Sequence, residues 1–179
     1  MEDRLLRIRR KIAAAGKTLN PLLSEEEVLA FEHKHSITLP EGYRRFLLEV
    51  GNGGDGPPFY NLVPLGSGPN SQCLEDVRYW EELPHVHLAF PFTETWVWEA
   101  DALSEEGTKE QVKHGSIFVG EDGCGMEWHL IVTGAERGNV WMICGEGVTP
   151  QNPRRDFLTW YEDWLDGVKN WLVPPEQAG

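Results

Sequence analysis

Ile37–Leu65 joins a helix start, a short amphipathic helix, a glycine stop and a strand-forming stretch into one unbroken unit around which the rest of the chain is organised. Pro40 suits the first turn of a helix, where an amide would be unpaired and its φ is already near the helical value. Glu41 adds favourable charge at that end. Tyr43, Phe46, Leu47 and Val50 recur at spacings of three and four and share one face, while Arg44, Arg45 and Glu49 point elsewhere. Gly51-Asn52-Gly53-Gly54 then tolerates the left-handed backbone that ends a helix and reverses the chain. Phe59–Leu65 is rich in strand formers, with Pro64 marking a strand end or an edge. Loops that cradle phosphate follow a strand and open a helix. Here the order is reversed, which predicts a helix–turn–strand folding unit and not a nucleotide site.

Around this unit the periodicities are legible. Residues 2–15 mix Leu5, Leu6, Ile8 and Ile12 with Arg4, Arg7, Arg9, Arg10 and Lys11, predicting a first helix whose basic outer face balances local charge. Ser24-Glu25-Glu26-Glu27 is a capping box, so a second helix runs from about Glu25 to about His35, with Val28, Phe31 and His35 inward. Gly66–Asp76 reads as a surface loop. Val77–Leu83 is expected as a helical turn stopped by Pro84, Val86–Phe92 as a second strand, and Thr93–Glu99 as an alternating segment with Trp96 and Trp98 on one side. Leu103–Gly115 is polar. The clearest sheet text is Ser116–Gly120, Met126–Gly134 and Asn139–Cys144, whose short glycine-bearing links predict an antiparallel meander. Phe157, Trp160, Tyr161, Trp164, Leu165 and Val168 then give a C-terminal helix with a strongly apolar face. Pro174–Gly179 reads as a frayed tail.

Composition bounds the function. The 179 residues suit one domain, 1–179, with its core at about 24–172, and eight Trp and seven Phe suffice for a sizeable interior. Sixteen Lys and Arg against 29 Asp and Glu give a net charge of −13, which disfavours nucleic acid and anionic membrane and favours a basic partner. Cys73, Cys124 and Cys144 are too few and too scattered for a disulfide framework, and the N-terminus lacks the apolar run of a signal peptide, so a cytoplasmic location is expected.

No chemistry-bearing constellation stands out. His33 and His35 fall on a helix, where i and i+2 diverge. His85 and His87 with His129 could approach a metal, yet ordinary core or surface histidines explain them as well. Cys124 and Cys144 with His129 and Asp122 contain the residue types of a cysteine nucleophile site, but nothing places a base beside the thiol. Glu121, Asp122 and Glu127 near a turn lack the spacing of a calcium loop. Neither a catalytic residue nor a cofactor is expected. Trp141, Trp160 and Trp164 sit at core-facing spacings, whereas Trp80, Trp96, Trp98 and Trp128 are less constrained. Aromatic residues ringed by acids suit a surface that grips a basic protein, the ring supplying buried area and the acids steering. On that ground the partner-binding candidates are Asp55, Tyr60, Trp80, Glu81, Glu82, Trp98, Glu99, Asp101, Glu121 and Asp122.

The chain resembles the SUKH superfamily, the Smi/Knr-like group, through Leu39-Pro40-Glu41-Gly42-Tyr43-Arg44-Arg45-Phe46-Leu47 and Asn52-Gly53-Gly54. Gly115-Ser-Ile-Phe-Val-Gly-Glu-Asp-Gly-Cys-Gly125, Gly138-Asn-Val-Trp141, and Phe157 with Trp164 extend the likeness. The resemblance implies an α+β fold, here with about five or six mostly antiparallel strands, N-terminal helices and a C-terminal helix packed against them. For bacterial members it implies an immunity protein that binds and neutralises a polymorphic toxin, often a nuclease. Fungal relatives look instead like regulators that bind endogenous proteins. The chain is expected to be non-catalytic and a monomer or weak homodimer, and its charge of −13 makes a basic toxin domain the expected partner. The long Pro/Gly-rich segment after Asn-Gly-Gly and the insert at Leu103–His114 depart from the pattern.

Overall fold

A computed structural model describes residues 1–59, 61–69, 74–97 and 111–168. Among these, five helices surround a five-stranded antiparallel sheet, an α+β architecture. Tyr60, Cys73, Trp98, Glu99, Asp101 and Pro174–Gly179, with most of the Leu103–His114 insert, lie outside the described residues.

The helices are α1 (Glu2–Ala14), α2 (Glu25–His35), α3 (Glu41–Glu49), α4 (Leu74–Glu82) and α5 (Phe157–Leu165). In α2 the Ser24 hydroxyl accepts the Glu27 amide while the Glu27 carboxylate reaches back to the Ser24 amide, the reciprocal capping expected from the sequence. Pro40 is the N-cap of α3, and Tyr43, Phe46 and Leu47 are buried on its inner face. Asp156 caps α5 by accepting from the Thr159 amide at 2.8 Å. The basic face of α1 meets the acidic side of α5: Arg4 binds Asp156 (2.7 Å), Arg7 binds Glu162 (2.7 Å), and Lys11 reaches Glu162 (2.8 Å) and Asp166 (2.6 Å). Leu5 and Ile8, on the adjoining face of α1, are buried.

This ladder makes folding acid-sensitive. The hydrogen bond from the Arg7 guanidinium, aided by Lys11 and opposed by burial, holds the Glu162 carboxyl down to about 2 from 4.5. The folded carboxylate stays ionised where the unfolded one protonates. Its stabilisation is therefore complete above about pH 4.5 and is lost as pH falls toward 2. With Arg7 half-exposed, about 2 kcal/mol is expected. Urea denaturation at pH 6 and pH 3 should show a larger drop for the natural chain than for Glu162→Gln; parallel drops would contradict it.

The strands β1 (Trp96–Val97), β2 (Ser116–Gly123), β3 (Met126–Ile131), β4 (Val140–Cys144) and β5 (Gly147–Pro150) lie in the order β1-β5-β4-β3-β2, every pair antiparallel. The β2–β3–β4 meander matches the sequence expectation. β5 was not anticipated: it returns across a tight turn from β4, where Gly147 lets the β1 backbone approach so closely that a Cβ would sit 2.0 Å from the Trp96 carbonyl oxygen.

Two expected strands are corrected. Phe59–Leu65 is not a strand among the described residues. Gly54 and Leu62 exchange backbone hydrogen bonds (2.8 and 3.0 Å) and the Val63 amide reaches Val119 of β2 (3.0 Å), but Asn61 at φ +79° breaks the extended path and Pro64 has no amide to offer. Val86–Phe92 is not a strand: the amides of Val86 and Leu88 bond back to Leu83 and His85 in a turn, and Pro91 cannot continue a ladder. Val86 and Phe90 are nonetheless buried, as their apolar character requires.

Consecutive residues on β3 separate the layers, because neighbours along a strand point to opposite faces. Trp128 packs on Trp160 of α5 (5.8 Å between centroids), while the adjacent His129 meets Trp80 of α4 (5.2 Å). The α5 side carries the larger core, with Phe46, Leu47, Leu130, Val140 and Phe157; the other side holds Phe90, Trp141, Ile143 and Val148. No helix among the described residues is long and apolar enough to cross a membrane.

Candidate functional site

The chain reversal after α3 builds one wall of a cleft. Gly53 (φ +81°) and Gly54 (φ +109°) turn the backbone so that Gly54 bridges to Leu19 on one side and Leu62 on the other. The strip Lys17–Asn20 is thereby stitched to Gly53–Asp55: the Asn20 amide bonds Gly53, the Asp55 amide bonds Thr18, and the Thr18 amide bonds the Asp55 carboxylate at 2.8 Å. Tyr161 of α5 donates its hydroxyl to the Asp55 carbonyl at 2.7 Å, and burial pushes this phenol's pKa up.

Between this unit, the β2–β3 turn and the end of α5 lies a cleft of about 550 Å³, lined by Lys17, Pro58, Phe59, Asp122, Trp164 and their neighbours. Asp122 organises the lip. One carboxylate oxygen accepts the Phe59 amide and the other the Trp128 indole N–H, both at 2.7 Å. The loop is held by these bonds with the Phe59 side chain at 78% exposure, the most exposed of the large apolar residues described. Opposite, the Lys17 ammonium lies 5.0 Å from the centre of the Trp164 ring, within cation–π range.

The structure scatters the six partner-binding candidates that lie among the described residues. Asp122 lines the cleft, and Asp55 braces it through the Thr18 amide and Tyr161. Glu121 stands directly across from Glu127 in the β2–β3 register. Trp80 is a correction: at 3% exposure it packs on Phe118 and His129 as part of the core, because α4 turns its apolar side to the sheet. Glu81 and Glu82 are exposed on α4, on the face of the sheet away from α5; the Glu81 carbonyl accepts from Lys34 and Glu82 pairs with Arg78. Tyr60, Trp98, Glu99 and Asp101 lie outside the described residues.

Sequence reasoning missed Lys17, Phe59 and the open face of Trp164. The available signal was an aromatic residue between Pro58 and Asn61, where a proline-bounded loop has no core to bury it.

Ser116, His129 and Glu127 form a hydrogen-bonded chain of the kind that activates a nucleophile: Ser116 Oγ lies 3.2 Å from His129 Nδ1, and His129 Nε2 lies 3.0 Å from Glu127 Oε2. Ser116 and His129 are fully buried beneath Trp80 and Phe118, so a substrate has no access and the chain serves as a satisfied polar core. With both ring nitrogens engaged, His129 is no base for Cys124, which is exposed on the β2–β3 turn at φ +53°. Among the described residues no group of three or more His, Cys, Asp or Glu is arranged to hold a metal ion.

A family model described as the SMI1 / KNR4 family (SUKH-1) matches residues 22–166, from the segment before α2 through α5, and α1 precedes the matched stretch. No curated protein and no solved structure gives a significant match.

Proposed function

We propose that this chain, which belongs to the SMI1 / KNR4 family (SUKH-1), is a non-catalytic protein-binding module, specifically an immunity protein that neutralises a basic toxin domain by direct binding in the cytoplasm. The family match over residues 22–166 carries the reading. The net charge of −13 supports it, because a surface of that sign attracts a cationic nuclease and accelerates encounter at low ionic strength. The exposed Phe59 above a cleft with acidic and aromatic walls supplies the mixture of apolar area and charge from which protein interfaces draw their anchors.

The test is co-expression with candidate toxin domains from the genes flanking this one. Survival of the host, a complex that co-elutes on size exclusion, and an association rate that falls steeply with salt are expected. Neither protection nor a complex would overturn the proposal, and capture of an endogenous host protein in place of a toxin would point to regulation.

A further inference from the structure

We infer that the cleft under Phe59 takes one long basic side chain, arginine or lysine, from the protein partner, seated on Trp164 and drawn by Asp122, and that Lys17 occupies this place in the free protein. The inference rests on the protein-binding reading above and adds where, and by what chemistry, the partner is gripped.

Three observations converge. The Trp164 ring already carries an ammonium: Lys17 Nζ is 5.0 Å from its centroid, so this face of the indole is open to a cation in the cleft as folded. The Asp122 charge is uncompensated: both of its donors, the Phe59 amide and the Trp128 indole, are neutral, and no ion pair among the described residues includes it. A carboxylate oxygen that has accepted one hydrogen bond retains capacity for another. Gly56, Pro58 and Phe59 provide the apolar wall along which the aliphatic stem of a basic residue lies.

Lys17 itself is exposed and sits in the loop after α1, so it is free to leave when a stronger cation arrives. The arrangement favours a cation over an anion or a neutral group, in keeping with the charge of the whole chain.

The full chain, ¹⁵N-labelled at its indoles, is titrated with N-acetyl-arginine-methylamide, its lysine counterpart and its neutral citrulline counterpart. The Trp164 resonance is assigned by its loss in Trp164→Phe. A saturable shift of that resonance is expected with the two cationic probes, with citrulline weaker by at least about tenfold. Lys17→Ala should tighten cation binding roughly threefold, as loss of an exposed cation–π competitor implies. Asp122→Asn, checked for an intact amide spectrum, should weaken it. Equal shifts with all three probes, no saturable shift, or weaker binding by Lys17→Ala would overturn the inference. Host survival separates the two readings. Full protection by Asp122→Asn would sink the cleft assignment and leave immunity standing, whereas cation-selective binding without protection by the natural chain would do the reverse.

Discussion

Gly54→Val lowers the unfolding free energy by about 3–5 kcal/mol, at the upper end of what a single substitution does. The backbone there is at φ +109°, a conformation L side chains rarely adopt. A Cβ would meet the Thr18 carbonyl oxygen and the Leu19 Cα at 2.8 Å and the Asn20 amide nitrogen at 3.1 Å. All three are main-chain atoms and cannot rotate aside. Because Gly54 bridges Leu19 and Leu62 together, relief of the clash would open both contacts. The control is Gly145→Ala, where nothing lies within 4 Å of the added carbon; it is expected to change stability by less than about 0.5 kcal/mol. Urea midpoints for the pair decide the matter, and similar losses at both sites would refute the packing argument.

Phe46→Ala is expected to cost about 3–5 kcal/mol through lost transfer energy and the cavity left behind. Phe46 is fully buried where α3 meets α5, its ring 5.1 Å from Phe157 and 4.8 Å from Tyr161 between centroids. Tyr161 in turn holds the Asp55 carbonyl, so the same void slackens the joint between α5 and the glycine turn. Phe46→Leu, which keeps most of the volume, should cost far less, about 1–1.5 kcal/mol. Guanidinium denaturation with an unchanged slope would measure both. A loss below about 1 kcal/mol for the alanine variant would show that the aromatic cluster collapses onto the gap.

Where the structure agrees with the sequence, the determining interactions are short in range. The capping box at Ser24 and Glu27, the inner face of α3 and the apolar face of α5 follow from hydrogen bonds and side-chain spacings within one or two helical turns. The β2–β3–β4 meander was legible for a related reason: each partner is the next segment along the chain, and glycine marks each link. Gly53 and Gly54 belong here too, since only a residue without a Cβ suits their backbone angles.

Where it departs, the deciding partner is distant. Phe59–Leu65 has strand propensity but meets Gly54 and Val119 at single points, and Asn61 leaves the extended region to make those contacts. β5 exists because β1 and β4 flank it, and no local pattern announces that. Trp80, flanked by Glu81 and Glu82, reads as a surface aromatic until α4 is laid on Phe118 and His129. The cleft shows the same division: Lys17, Phe59, Asp122 and Trp164 are far apart in sequence and come from two loops, β2 and α5. The sequence by itself determined the helices, the meander, the glycine reversal and the charge of the molecule, because those depend on neighbours in the chain. The tertiary structure alone decided which aromatics are buried, which strand-like segments pair and which acids among the described residues meet a cation, because burial and pairing depend on groups that only folding brings together.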